Sequence, residues 1–195
     1  MKILFVDCCI RPEAQSRTHK LCRLFLDEYL RLHRSDTVET LRLADEPLQP
    51  MLLPQLQERD ALLAAGKFGH EMFRYSHQFA EADRVLIGAP YWDLSFPALL
   101  KVYVERLSVS GITFEYVQGR PVGRCKADKL MLIQTAGGFL AGSDEGADYL
   151  RAIANMFGVG QFDSFCAEGL DVQELDQTEI WDGAVAQVKA LAEKW

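Results

Sequence analysis

No stretch of the sequence comes near the roughly 20 consecutive apolar residues that a membrane-crossing helix needs. The apolar run near the start, Ile3-Leu4-Phe5-Val6, is too short for the core of a signal peptide. A cytoplasmic protein with no membrane partner is therefore expected. Cysteines are few and unpatterned: Cys8, Cys9, Cys22, Cys125 and Cys166 are odd in number and contain no C-x-x-C, so neither a disulfide framework nor a thiolate zinc site is suggested. His19, His33, His70 and His77 show no ligand spacing with acids or cysteines, and no metal is expected. Positive charge is short as well. Lys and Arg number 21 against 28 Asp and Glu, and the net charge of -7 argues against nucleic acid and anionic membrane surfaces, which call for a basic face. An anionic small ligand stays open, because one helix N-terminus suffices to hold it. Both G-x-G-x-x-G and G-x-x-x-x-G-K-[ST] are missing, which removes the dinucleotide fingerprint and the nucleoside-triphosphate loop. Ser108 and Ser110 lack the G-x-S-x-G context of a hydrolase nucleophile. Repeats, low-complexity tracts and linkers are absent too, so a single domain over residues 1–195 is expected.

What the chain does have is alternation. Lys2 to Asp7 is a short, almost wholly apolar run, the pattern of a central parallel strand covered on both faces. A polar loop through Ser16 follows, then a helix carrying Leu21, Leu24, Phe25, Leu26, Tyr29 and Leu32. Thr37 to Leu43 alternates imperfectly with charges and reads as an edge-like strand. Pro47, Pro50 and Pro54 then hold off regular structure until Gln55 to Ala65, a candidate lid or interface insertion. His70 to Ala82 is helical in pattern and leads into a strand over Arg84 to Ala89. A helix runs from Pro97 to about Leu107, followed by an extended stretch from Gly111 and a turn or hairpin return at Gly119 to Gly123. Lys129 to Thr135 and Gln161 to Ala167 are two more strands, with helices around Tyr149 to Phe157 and over Glu174 to Lys194. Five strands alternating with helices predict an α/β fold, a doubly wound five-stranded parallel sheet flanked by helices and flavodoxin-like by strand count.

In such a sheet the loops that leave the carboxyl ends of the strands converge on one crevice. Three stand out. Cys9 to Thr18 enters the first helix at Ser16-Arg17-Thr18, where hydroxyls and unpaired backbone N–H groups suit a phosphate, although a serine there also serves as a plain N-cap. With the dinucleotide and triphosphate motifs missing, a monophosphate is what this loop fits. Pro90-Tyr91-Trp92-Asp93-Leu94 puts adjacent aromatics on a loop, where they line a planar ring system or pack on the next helix or a partner subunit. Thr135-Ala136-Gly137-Gly138 ends the fourth strand with paired glycines, which permit close backbone approach to a ligand or serve a turn.

The order and wording of these segments resemble the FMN-dependent NAD(P)H:quinone oxidoreductases, the family that includes the bacterial azoreductases. The likeness runs through Ser16-Arg17-Thr18, Pro90-Tyr91-Trp92-Asp93, Leu100-Lys101-Val102-Tyr103, Gly111-Ile112-Thr113-Phe114-Glu115-Tyr116, Ala136-Gly137-Gly138 and Phe165-Cys166-Ala167-Glu168-Gly169. It covers nearly the whole chain apart from residues 45 to 66. The resemblance implies a flavodoxin-like homodimer with FMN in each subunit, its phosphate on Ser16, Arg17 and Thr18 with Cys9 nearby. Pro90 to Leu94 and Thr135 to Gly138 would flank the isoalloxazine. It also implies a ping-pong reaction in which NADH or NADPH gives a hydride to flavin N5 and two electrons then pass to a quinone, azo or related aromatic acceptor. The flavin does the chemistry, so no catalytic side chain is expected.

Three residues depart from the family pattern. Cys8-Cys9 stands where small hydroxyl residues are common, Asp93 where an Asn-like amide is common, and Ala136 where an Arg or polar residue is often found. A carboxylate at Asp93 near the flavin would lower its reduction potential by disfavouring the anionic hydroquinone. Alternatively, Asp93 is a solvated residue capping its turn. Cys8 and Cys9 read as two small strand-end side chains rather than a redox pair, since adjacent cysteines bridge only with strain. A flavodoxin-like binding or sensor module with weak or no FMN affinity is the competing expectation.

Overall fold

The structure is a computed structural model that describes residues 1–140 and 142–195. Its sheet is built from β1 (Lys2–Asp7), β2 (Thr37–Arg42), β3 (Arg84–Gly88), β6 (Lys129–Thr135) and β7 (Gln161–Ala167), all parallel, in the order β2-β1-β3-β6-β7. This is the doubly wound, flavodoxin-like order expected for five strands. The three inner strands are nearly continuous apolar runs because helices cover both of their faces. The imperfectly alternating β2 lies at one edge, where charged side chains reach solvent.

On one face, α1 (Arg17–Leu32) and α6 (Gln177–Lys194) pack over Phe5, Leu86 and Ile133 through Leu21, Phe25, Val188 and Ala192. On the other, α3 (Arg74–Glu81), α4 (Ala98–Leu107) and α5 (Glu145–Phe157) pack over Leu4, Val6, Val85 and Leu132 through Phe79, Leu100, Tyr103 and Leu150. The remaining elements are α2 (Leu53–Ala64) and a hairpin of β4 (Phe114–Val117) and β5 (Arg120–Gly123). Gln118 and Gly119 turn that hairpin with φ of 51° and 78°, the pair of left-handed residues that a two-residue type I′ connection requires.

Several elements differ in extent from the sequence pattern. α5 starts at Glu145, four residues ahead of its apolar stripe, because the Asp144 side chain caps it by accepting from the Ala147 N–H at 2.9 Å. Gly146 in that first turn carries no apolar signal, yet it is needed there, since a Cβ would come within 2.9 Å of Phe96. The stretch from His70 divides into a 3-10 turn over Glu71–Phe73 and the shorter helix α3. α6 begins at Gln177, where Asp176 accepts from the N–H groups of Thr178 and Glu179. α2 takes in Pro54, which is tolerated in a first turn because its nitrogen has no intrahelical partner there.

The chain leaves β1 toward β2 on one side, while β3 leads through α4 to β6 on the other. The loops after β1 and β3 therefore part from one another, and the crevice between them opens at the carboxyl edge of the sheet. At the opposite edge Arg84 is buried, with its guanidinium over the rings of Tyr29 and Trp195 and donating to the Trp195 carbonyl, which ties α1, β3 and α6 together.

Candidate active site

The crevice is a cleft of about 210 Å³. Cys9, Ser16, Arg17, Thr18, Pro90, Tyr91, Trp92, Thr135 and Gly137 all line it, so the loops after β1, β3 and β6 meet in one place. Asp93, Leu94, Ala136 and Gly138 belong to the same loops but are not among its lining residues. Ile10, Arg11, Gln15 and Asp171 line it without having been singled out in the sequence. No residue of the Pro-rich 45–66 segment reaches it. That segment, a candidate lid or interface insertion, instead borders a separate groove, which Met51, Leu56 and Arg59 line together with residues of α4 and Tyr149.

One end of the cleft is the first turn of α1. Ser16 is the N-cap, its Oγ accepting from the His19 N–H at 3.1 Å. Among the described residues no protein acceptor takes the N–H groups of Arg17 or Thr18, which leaves two oriented donors at the positive end of the helix dipole. Thr18 and Thr135 share a hydroxyl hydrogen bond of 2.7 Å and are both buried, which fastens the first loop to the third. Beneath this turn lies a buried pair the sequence had not disclosed. The Asp7 carboxylate accepts from the Cys9 N–H at 2.9 Å with one oxygen and meets His19 Nδ1 at 2.9 Å with the other, so that nitrogen is the protonated donor. Asp7 thereby ties the start of the loop after β1 to the first turn of α1. The only forewarning in sequence was an acid closing an otherwise apolar strand.

The thiols here are not nucleophiles. Burial and the nearby Asp7 carboxylate push the Cys8 thiol up to about 12, and the same causes raise that of Cys9, so both stay protonated and unreactive at neutral pH. Neither is in a disulfide, and both pack as small strand-end side chains.

The other end is the turn after β3. Tyr91 N–H donates to the Thr135 carbonyl at 3.0 Å, which extends the sheet pairing past the strand ends. Trp92 and Ser95 then exchange backbone hydrogen bonds of 3.1 and 2.8 Å around Asp93 and Leu94, whose φ values of 50° and 65° are left-handed. This two-residue turn carries Asp93 and Leu94 out to the rim and leaves Tyr91 and Trp92 facing the cleft. The Tyr91 phenol is shifted upward by burial and by the Asp144 carboxylate, and stays neutral. On the third loop Ala136 is buried, its N–H donating to the Ala167 carbonyl at 2.8 Å. Gly138 has open space where a Cβ would be, so nothing in the surrounding fold requires a glycine there.

Two free backbone donors at one end and an aromatic turn at the other, in one cleft at the carboxyl edge of a doubly wound parallel sheet, place this chain among the α/β proteins of flavodoxin-like order. The chain belongs to the family of the flavodoxin-like fold, whose family model matches residues 1–192. It is 34% identical over 199 residues to the FMN-dependent NADH:quinone oxidoreductase 2 of Clostridium acetobutylicum, covering all of this chain and 99% of that one. With the FMN-dependent NADH:quinone oxidoreductase of Clostridium beijerinckii it shares 35% identity over 196 residues at the same coverage. Among solved structures, the azoreductase of Bacillus anthracis str. Sterne superposes with a TM-score of 0.86 at 28% identity, over all of this chain and 99% of that one.

Proposed function

We propose that the protein is a cytoplasmic, single-domain FMN-dependent NADH oxidoreductase that passes two electrons to quinones, azo compounds or related aromatic acceptors. The observation that carries this reading is one cleft that joins the unpaired amides of Arg17 and Thr18 to the Tyr91–Trp92 turn. The donor set fits FMN. Two backbone N–H groups and the Ser16 and Thr18 hydroxyls at a helix N-terminus suit a phosphate monoester. The Tyr91 and Trp92 side chains of the aromatic turn suit an isoalloxazine. The relatives named as FMN-dependent NADH:quinone oxidoreductases support the same cofactor and favour NADH over NADPH as donor.

Bound there, FMN supplies two-electron chemistry, accepting a hydride from the nicotinamide donor and delivering two electrons to the acceptor. The protein's own part is to bind and orient. Ser16, Arg17 and Thr18 would hold the phosphate with Cys9 beside them. Pro90 to Leu94 would flank the ring on one side and Thr135 to Gly138 on the other. Neutral thiols at Cys8 and Cys9 and a neutral Tyr91 add no competing nucleophile. A ping-pong order, in which the acceptor takes the place the nicotinamide has left, belongs to this reading. The exposed aromatic and aliphatic side chains at the rim support a homodimer in which a second copy covers the ring end.

The test is a visible spectrum of the purified protein after reconstitution with FMN, then anaerobic addition of NADH and of NADPH. We expect flavin uptake and bleaching by NADH, with slower bleaching by NADPH. Lack of uptake would reject the enzyme in favour of a binding module, and uptake without bleaching would point to an electron carrier.

A further inference from the structure

The segment that follows β7 straps the Gly137–Gly138 loop to the first turn of α1. Gly169 N–H donates to the Gly138 carbonyl at 2.9 Å, Leu170 N–H to that of Ala136 at 3.2 Å, and Asp171 N–H to that of Gly137 at 2.8 Å. The strap is then bolted across the cleft by Arg17, which donates through Nη1 to the Leu170 carbonyl at 2.7 Å and through Nη2 to Asp171 Oδ1 at 2.9 Å. The Asp171 carboxylate lies close over Gly137, and a Cβ there would sit 2.5 Å from Oδ2, so a larger residue would have to push the carboxylate aside and with it the partner of Arg17. Arg17, Gly137 and Asp171 all line the cleft.

This geometry is not that of an arginine kept only for phosphate. Part of the guanidinium fork is already committed to a carbonyl and a carboxylate of its own chain, and its charge is matched before any anion arrives. Those two acceptors belong to the segment that holds the other end of the cleft in shape.

We propose that Arg17 and Asp171 are positioning residues that couple the phosphate end of the cleft to its ring end, so that losing either weakens binding of the flavin ring even when no phosphate is present. The proposal rests on the FMN reading above.

Riboflavin, which lacks the phosphate, separates coupling from phosphate binding. Dissociation constants for FMN and riboflavin, read by quenching of flavin fluorescence, are compared among the unmodified protein, Arg17→Ala, Asp171→Ala, the double variant and Arg17→Lys. We expect Arg17→Ala and Asp171→Ala each to weaken riboflavin about fivefold, the scale of a partly exposed charge-assisted pair. The double variant should be no worse than either alone, since both remove one bolt. Arg17→Lys keeps the charge but loses the fork, and should weaken riboflavin like Arg17→Ala while keeping the preference for FMN. Weakening of FMN alone, with riboflavin unchanged, would overturn the coupling and leave Arg17 a phosphate ligand only.

Hydrogen exchange on the flavin-free protein reads the strap without any ligand. Arg17→Ala should speed exchange at the Gly169 and Asp171 amides severalfold while leaving the β1 and β3 amides protected. Unchanged exchange at those two amides sinks the coupling even if FMN binds, whereas failure of the unmodified protein to take up FMN sinks the cofactor reading.

Discussion

Asp93 is where sequence and structure meet most sharply at the scale of one residue. Two roles were open for it, a charge against the flavin or a solvated turn residue. With φ at 50° it is the first left-handed residue of the Trp92–Ser95 turn, a position that Asp and Asn tolerate better than most residues, and it is exposed at the rim. The turn role therefore stands in the geometry, and the electrostatic role is reduced by solvent screening rather than removed. At a few ångströms in a water-like dielectric, a full charge is worth about 1 kcal/mol. On a two-electron couple this corresponds to about 20 mV. Asp93→Asn keeps the left-handed turn and removes the charge, so we expect the flavin midpoint potential to rise by about 20 mV with no change in thermal stability. A potentiometric titration that finds the two proteins equal would show that Asp93 acts on the backbone alone. The Asp7–His19 pair was beyond reach of the sequence for a different reason. The two residues lie 12 apart and meet only because α1 folds back over the end of β1, a tertiary fact that no local pattern encodes.

At the scale of elements, legibility followed burial. β1, β3 and β6 could be bounded almost to the residue because strands covered on both faces are written as unbroken apolar runs. The start of α5 could not, because Gly146 is needed there for close approach to Ser95 and Phe96, which leaves no periodic apolar mark. Close approach also governs the β4–β5 hairpin, read in sequence only as a turn or return. β5 ends at Gly123 directly against the left-handed cap of α5, and a Cβ on Gly123 would fall 2.0 Å from the Gly158 nitrogen and 2.1 Å from the Phe157 carbonyl carbon. These are backbone atoms that cannot swing aside. Gly123→Ala must push the hairpin off the end of α5, where Phe114 stacks on Phe157 and the Cys125 N–H donates to the Phe157 carbonyl at 3.0 Å. We expect a loss of about 3 kcal/mol, at the upper end for overpacking, read by urea denaturation. The cleft proposed for FMN, which lies at the carboxyl edge of the sheet, should keep its affinity below the unfolding transition. A variant as stable as the unmodified protein would mean that the hairpin and α5 are not rigidly docked.

For the whole molecule, the unfinished feature is the rim of the cleft. Trp92 is 44% exposed, Leu94 66% and Phe139 67%, all on the two loops that flank the ring end. Large apolar side chains grouped on functional loops are the usual mark of a surface that another molecule covers. The carboxyl-edge location of this cleft was legible from the alternation of strands and helices alone, but its exposed apolar rim was not, because a sequence carries no direct record of which apolar side chains stay exposed after folding. If a second copy of the chain covers that rim, dimerisation and flavin retention are linked equilibria, and FMN affinity should rise with protein concentration. Leu94→Asp tests the contact by sedimentation, and the dilution series of the unmodified protein tests the linkage, since Leu94 also stands in the loop proposed to flank the ring. Aspartate is at ease in the left-handed region that Leu94 occupies at φ 65°, so the turn survives while a charge enters the proposed contact. By two-fold symmetry the substitution would put an unpaired charge into the interface twice, once from each copy, and we expect the dimer to weaken about 100-fold. Sedimentation velocity should show the unmodified protein as a dimer at micromolar concentration and the variant as a monomer, with flavin lost in step on dilution. An unmodified protein that sediments as a monomer yet holds FMN would mean that one chain completes the site alone.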